Sequence, residues 1–173
     1  MITNEALDRV RGWFHGRLPE DWRSVDPEIT LDREEITVLL TIPDVELADG
    51  ASEAEAAEAR AGRVKAFREE TREHRISIAR EAEHRFDRKV SWGVTIGDRT
   101  ELFTHIAVPV MTRLRQPQRQ VLDTLVEAGV ARSRADALAW CVRLVGQHSD
   151  DWLAELRAAM SHVADVRTKG PAA

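Results

Sequence analysis

Apolar and polar positions along the chain change period several times, and each change marks an element. From Asn4 to His15, Leu7, Val10 and Phe14 recur at helical spacing, and Gly16 with Pro19 closes that run. Ile29 and Leu31 then alternate with polar neighbours, Asp32-Arg33-Glu34 supplies a turn, and Ile36, Val38, Leu40 and Ile42 alternate again as far as Pro43, which predicts a hairpin. Asp49-Gly50-Ala51-Ser52 breaks the pattern, and Ser52 with Glu55 makes a capping box. One long helix is predicted from there to about Phe86, with Val64, Phe67, Thr71, Ile78, Ala82 and Phe86 as its sheet-facing stripe. Val90, Trp92, Val94 and Ile96, a Gly97-Asp98 turn, and Leu102, Thr104, Ile106 and Val108 predict a second hairpin.

The order α-β-β-α-β-β predicts an α+β layer with helices on one face of an antiparallel sheet over residues 1–108. Pro109 is the expected joint, because proline cannot donate to a sheet ladder. Beyond it come a short extended piece, Val110 to Leu114, and a helix entered through Pro117 and patterned by Val121, Leu122, Leu125 and Val126. Gly129 ends that helix. Ser133, with Asp136 three residues on, caps the next, whose apolar face is Ala137, Leu138, Cys141, Val142 and Val145. A last helix from about Ser149 to Val163 sets Trp152, Leu153, Leu156, Met160 and Val163 on one side, and is expected to cover the helical pair or to extend a dimer interface. The tail from Thr168 to Ala173 is expected to be loose.

Charge sharpens this division. Residues 1–108 hold 16 Lys/Arg and 23 Asp/Glu, a balance of −7, whereas residues 109–173 hold 9 and 7, a balance of +2. Arg113, Arg115, Arg119, Arg132 and Arg134 concentrate the positive charge, against Asp123 and Glu127. The net charge of −5 disfavours indiscriminate polyanion binding. One cysteine excludes an intramolecular disulfide framework, no run approaches the roughly 20 apolar residues of a membrane span, and Met1 to Glu5 lacks a signal-peptide pattern. A reducing cytoplasm is the expected location.

Arg113-Leu114, the Leu122 to Gly129 helix end, and Arg132-Ser133-Arg134-Ala135-Asp136-Ala137 together resemble the ribbon-helix-helix superfamily of bacterial repressors and antitoxins, over about residues 109–146. The resemblance implies a homodimer that pairs two strands into a ribbon, inserts it in the DNA major groove, and regulates transcription. It implies that Met111, Arg113 and Arg115 point outward, the two arginines reading base edges, while the Ser133 helix start with Arg132 and Arg134 holds phosphate. Ser133 and Asp136 could equally do no more than cap a core helix.

Other chemistry is sparse. Arg68, Arg72 and Arg75 share a helix face by spacing and offer a second surface, for RNA or for a partner's carboxylates, although neighbouring glutamates suit plain salt bridges. A scaffold protein that keeps the helical pair only for dimerisation is the rival from another class. Glu81 and His84 form a single E-x-x-H pair where a di-metal site needs two, and no P-loop, G-x-G-x-x-G or G-x-S-x-G occurs. No enzyme and no cofactor are therefore expected. Cys141 keeps phase with apolar neighbours, and the five tryptophans read as core.

Overall fold

A computed structural model describes residues 3–48 and 50–169. The chain divides into two units, Met1–Val108 and Pro109–Ala173. Among the described residues it is α+β, with six α-helices and one four-stranded mixed sheet.

In the first unit, α1 (Asn4–Arg17) starts at Thr3, whose hydroxyl accepts from the Ala6 N–H at 3.2 Å. A short 3-10 turn, Glu20–Arg23, carries the buried Trp22. β1 (Glu28–Leu31) and β2 (Glu35–Thr41) form the first hairpin. Its turn is held by the Asp32 carboxylate, which accepts from the Glu34 and Glu35 N–H groups at 2.8 and 2.6 Å. The helical stretch that follows is two helices, α2 (Glu53–Glu70) and α3 (Arg72–Phe86). β3 (Lys89–Ile96) and β4 (Arg99–Leu102) make the second hairpin around Gly97, which has φ +57°.

Three expectations are corrected here. The sheet is not wholly antiparallel: β2 and β3 run parallel from Glu35↔Lys89 to Thr41↔Thr95, because the α2–α3 crossover carries the chain back to the end of the sheet where β2 began before β3 starts. The single long helix is interrupted at Thr71. There the hydroxyl donates to the Phe67 carbonyl at 2.6 Å, and Arg75 Nη2 donates to the Arg68 carbonyl at 2.7 Å, so side chains enter the backbone ladder. The last strand stops at Leu102, and Phe103 turns its ring to the guanidinium groups of Arg68 and Arg75, at 5.6 and 4.8 Å from the ring centroid.

The order β1-β2-β3-β4 leaves β2 and β3 central, with Ile36, Val38, Leu40, Val90, Trp92, Val94 and Ile96 buried on the helix side. Val10 and Phe14 of α1, Val64 and Phe67 of α2, and Ile78 and Ala82 of α3 cover them. Edge-to-face aromatic pairs run from Phe86 through Trp13, Phe14 and Trp92 to Trp22. On the other sheet face, Gly93 lies between Leu39 of β2 and Leu102 of β4. A β-carbon there would stand 2.6 Å from Leu39 Cδ2 and 2.8 Å from the Glu101 carbonyl oxygen.

The second unit contains α4 (Gln116–Glu127), α5 (Arg134–His148) and α6 (Asp150–Lys169). Thr168 and Lys169, expected to be loose, continue α6, and residues 170–173 lie outside the described residues. Among the described residues, no helix is long and apolar enough to cross a membrane.

Candidate nucleic-acid interface

The helical pair is built by local hydrogen bonding. Gln118 reaches back from α4 to accept the Arg115 N–H at 2.8 Å, and Pro117 fits the first turn because its missing N–H has no partner to lose. Gly129, at φ +72°, reverses the chain, and the Val130 and Ala131 N–H groups return to the Leu125 carbonyl at 3.0 and 3.2 Å. At the start of α5, Ser133 Oγ accepts from the Asp136 N–H at 3.2 Å, while Asp136 Oδ2 accepts from the Arg132 N–H at 3.0 Å. The pair closes on a small core of Leu122, Ala131 and Ala137, with Leu114, Leu125, Val126, Leu138 and Cys141 packed against it.

The six candidate residues fall into two groups. Leu114 packs inward while Met111, Arg113 and Arg115 are exposed, Met111 at 96% and its neighbour Val110 at 86%. Neither Arg113 nor Arg115 has a carboxylate at ion-pair distance among the described residues. The segment from Val110 to Leu114 carries no ladder among the described residues, so the expected strand is not formed there. Arg132, Ser133 and Arg134 are tied into the pair itself. Arg134 makes two bonds to Asp123, at 2.6 and 2.8 Å, and Arg132 Nε stands 3.8 Å from Asp136. The Arg134 hydrogen bond holds the Asp123 carboxyl below its ordinary pKa. Arg119 is also engaged, donating to the Leu114 carbonyl at 2.7 Å.

The apolar face expected to bury α5 is corrected. Val142 and Val145 are exposed, as are Trp152, Leu156, Met160 and Val163 of α6, so among the described residues of the second unit this surface is uncovered. The first-unit stripe of Arg68, Arg72 and Arg75 is corrected too: Arg75 is buried, and only Arg68 and Arg72 are exposed. Phe103 was not singled out by its pattern, since it stands out of phase in an alternating run. Glu81, half of the E-x-x-H pair, accepts two bonds from Arg17 at 2.7 and 2.6 Å.

Comparison with known proteins gives the same two-part division. Residues 8–102 match the N-terminal domain of the Rv1265-like proteins, and residues 115–167 match the domain described as Mb1296 C-terminal. The chain belongs to the Rv1265-like family. It is 62% identical over 159 residues to the uncharacterized proteins Rv1265 of Mycobacterium tuberculosis and Mb1296 of Mycobacterium bovis, an alignment covering 92% of this chain and 69% of theirs. These relatives are bacterial. No solved structure gives a significant match.

Proposed function

We propose that this chain is a homodimeric, sequence-selective DNA-binding protein that regulates transcription in the bacterial cytoplasm, with residues 109–146 acting as a ribbon-helix-helix-like unit. The observation that carries the reading is the exposed Val110 to Arg115 segment. It sets bare apolar residues beside two arginines free of carboxylate partners, at the entrance to a helical pair whose own core is small. A second copy would supply the missing strand partner and cover Val142, Val145 and Trp152, and exposed apolar surface of this kind marks association sites. Paired ribbons would then present Met111, Arg113 and Arg115 to base edges, an arginine binding guanine through two bonds. In this reading Arg134 approaches phosphate only after Asp123 shares or releases it, while the exposed Arg132 stands beside Ser133 at the helix start. The first unit serves assembly or sensing, and no reaction is assigned to the chain.

The experiment is selection of bound sequences from a random DNA library, followed by titration of a selected and a scrambled site at several salt concentrations, with light scattering on the free protein. A dimer that prefers its selected site supports the reading. A dimer that ignores DNA favours the alternative, a scaffold protein using the pair only to dimerise, which the internal pairing of Arg132 and Arg134 favours.

A further inference from the structure

The joint between α2 and α3 borders an open recess of about 560 Å³, within the size range of small-molecule sites. Lys65, Arg68, Arg72 and Arg75 line it together with Phe103, against the two carboxylates of Glu69 and Glu101. Its centre is Arg75, which is only 8% exposed. Nε donates to Thr71 Oγ1 at 3.0 Å and Nη2 to the Arg68 carbonyl at 2.7 Å, so both acceptors are neutral. Among the described residues, neither Arg75, Arg68 nor Lys65 has a carboxylate at ion-pair distance, and Nη1 of Arg75 makes no hydrogen bond. The cation is therefore largely buried without a counter-charge, with Nη1 left open to the recess, where an anion would complete the site. Burial, and then the nearby charges of Arg68 and Arg72, push its pKa below the usual arginine value, as expected of crowded cations.

We propose that this recess binds a small phosphorylated molecule, its phosphate held between the guanidinium groups of Arg68 and Arg75. The two groups are set against one Phe103 ring, at 5.6 and 4.8 Å, which limits their freedom before a ligand arrives. Planar guanidinium groups suit the paired oxygens of phosphate, and Lys65 adds a point charge. Ile76 and Ala61 give the organic part an apolar wall. An extended polyanion is disfavoured because residues 1–108 carry a balance of −7, whereas one or two phosphates meet only the local excess of cations.

Calorimetric titration of the full chain in chloride buffer, with inorganic pyrophosphate, adenosine monophosphate and glucose 6-phosphate as separate probes, tests the site. At least one probe should saturate, and Arg68→Ala, which alters an exposed side chain, should weaken it about tenfold or more. Arg75→Lys keeps the charge but loses the fork and should also bind more weakly, with circular dichroism checking that both variants fold. Pyrophosphate binding as tightly as the organic phosphates would assign the site to the oxyanion alone; tighter organic probes would assign the wall a part. Saturation by none of the three, unchanged binding in Arg68→Ala, or binding of heparin alone would overturn the proposal.

Discussion

Arg134 grips Asp123 with two parallel hydrogen bonds, Nε to Oδ1 at 2.6 Å and Nη2 to Oδ2 at 2.8 Å, joining the first turn of α5 to the middle of α4. In the proposed DNA complex the same guanidinium meets phosphate, so carboxylate and phosphate would compete for it. Asp123→Asn should release Arg134, tighten binding to every DNA sequence, and steepen the salt dependence by about one phosphate contact. Fluorescence anisotropy at several salt concentrations measures both effects.

The same bridge carries a pH signature. The Arg134 hydrogen bond lowers the Asp123 pKa in the folded chain, so the bridge contributes stability above the unfolded carboxylate pKa, about 3.9. That contribution is lost as the pH falls through the lowered folded value. The stability difference between the native chain and Asp123→Asn should therefore be constant from neutral pH to about 5 and shrink in stronger acid. Denaturant unfolding across that range tests it.

Arg113→Ala and Arg115→Ala should reduce the preference for a selected site over a scrambled one, by about 1–3 kcal/mol for each two-bond base contact removed. Arg134→Ala should instead weaken both sites alike and lower the salt slope by about one. Unchanged binding in all three variants would remove the ribbon from the interface.

Thr112→Pro addresses the proposed dimer. No backbone hydrogen bond within the described chain uses the Thr112 N–H, so proline removes nothing from the single copy but deletes a donor from a paired ribbon. Light scattering should find a folded monomer where the native chain is a dimer. A Thr112→Pro dimer would exclude pairing through this segment.

Gly93→Ala tests the sheet. Its new β-carbon would meet the Glu101 carbonyl oxygen at 2.8 Å, and that backbone atom is held in the β3–β4 ladder. Flanking Leu39 and Leu102 can shift their side chains, but the carbonyl cannot move without straining the hairpin. A loss of about 1–3 kcal/mol is expected in denaturant unfolding.

The strands of the first unit were legible because Ile36, Val38 and Leu40, and later Val90, Trp92, Val94 and Ile96, repeat with the two-residue period of a half-buried sheet. The parallel sense of the central pair was not, since alternation says which face is buried and nothing about direction. The break at Thr71 depends on Arg75 folding back to the Arg68 carbonyl, a contact that leaves helical periodicity intact. Leu102, Thr104, Ile106 and Val108 alternate as a strand would, yet the last bond to β3 is from the Phe103 N–H to the Trp92 carbonyl, and the Phe103 ring meets two guanidinium groups. In the second unit the caps at Ser133 and Gly129 were readable from residue type. The bridge from Arg134 to Asp123 spans a turn between two helices, so no sequence period shows it. Val142 and Val145 carry a core pattern, but pattern alone does not say whether the covering surface belongs to the same chain.

The parallel ladder between β2 and β3 also bears on how the first unit assembles. Each hairpin closes over a few residues, whereas joining Thr41 to Thr95 encloses the whole α2–α3 segment, and the entropy of that loop must be met before the central pairs contribute. Docking of the two helices on the nascent strands shortens the effective loop, so the step that limits folding is expected at the helix crossover and not in either turn.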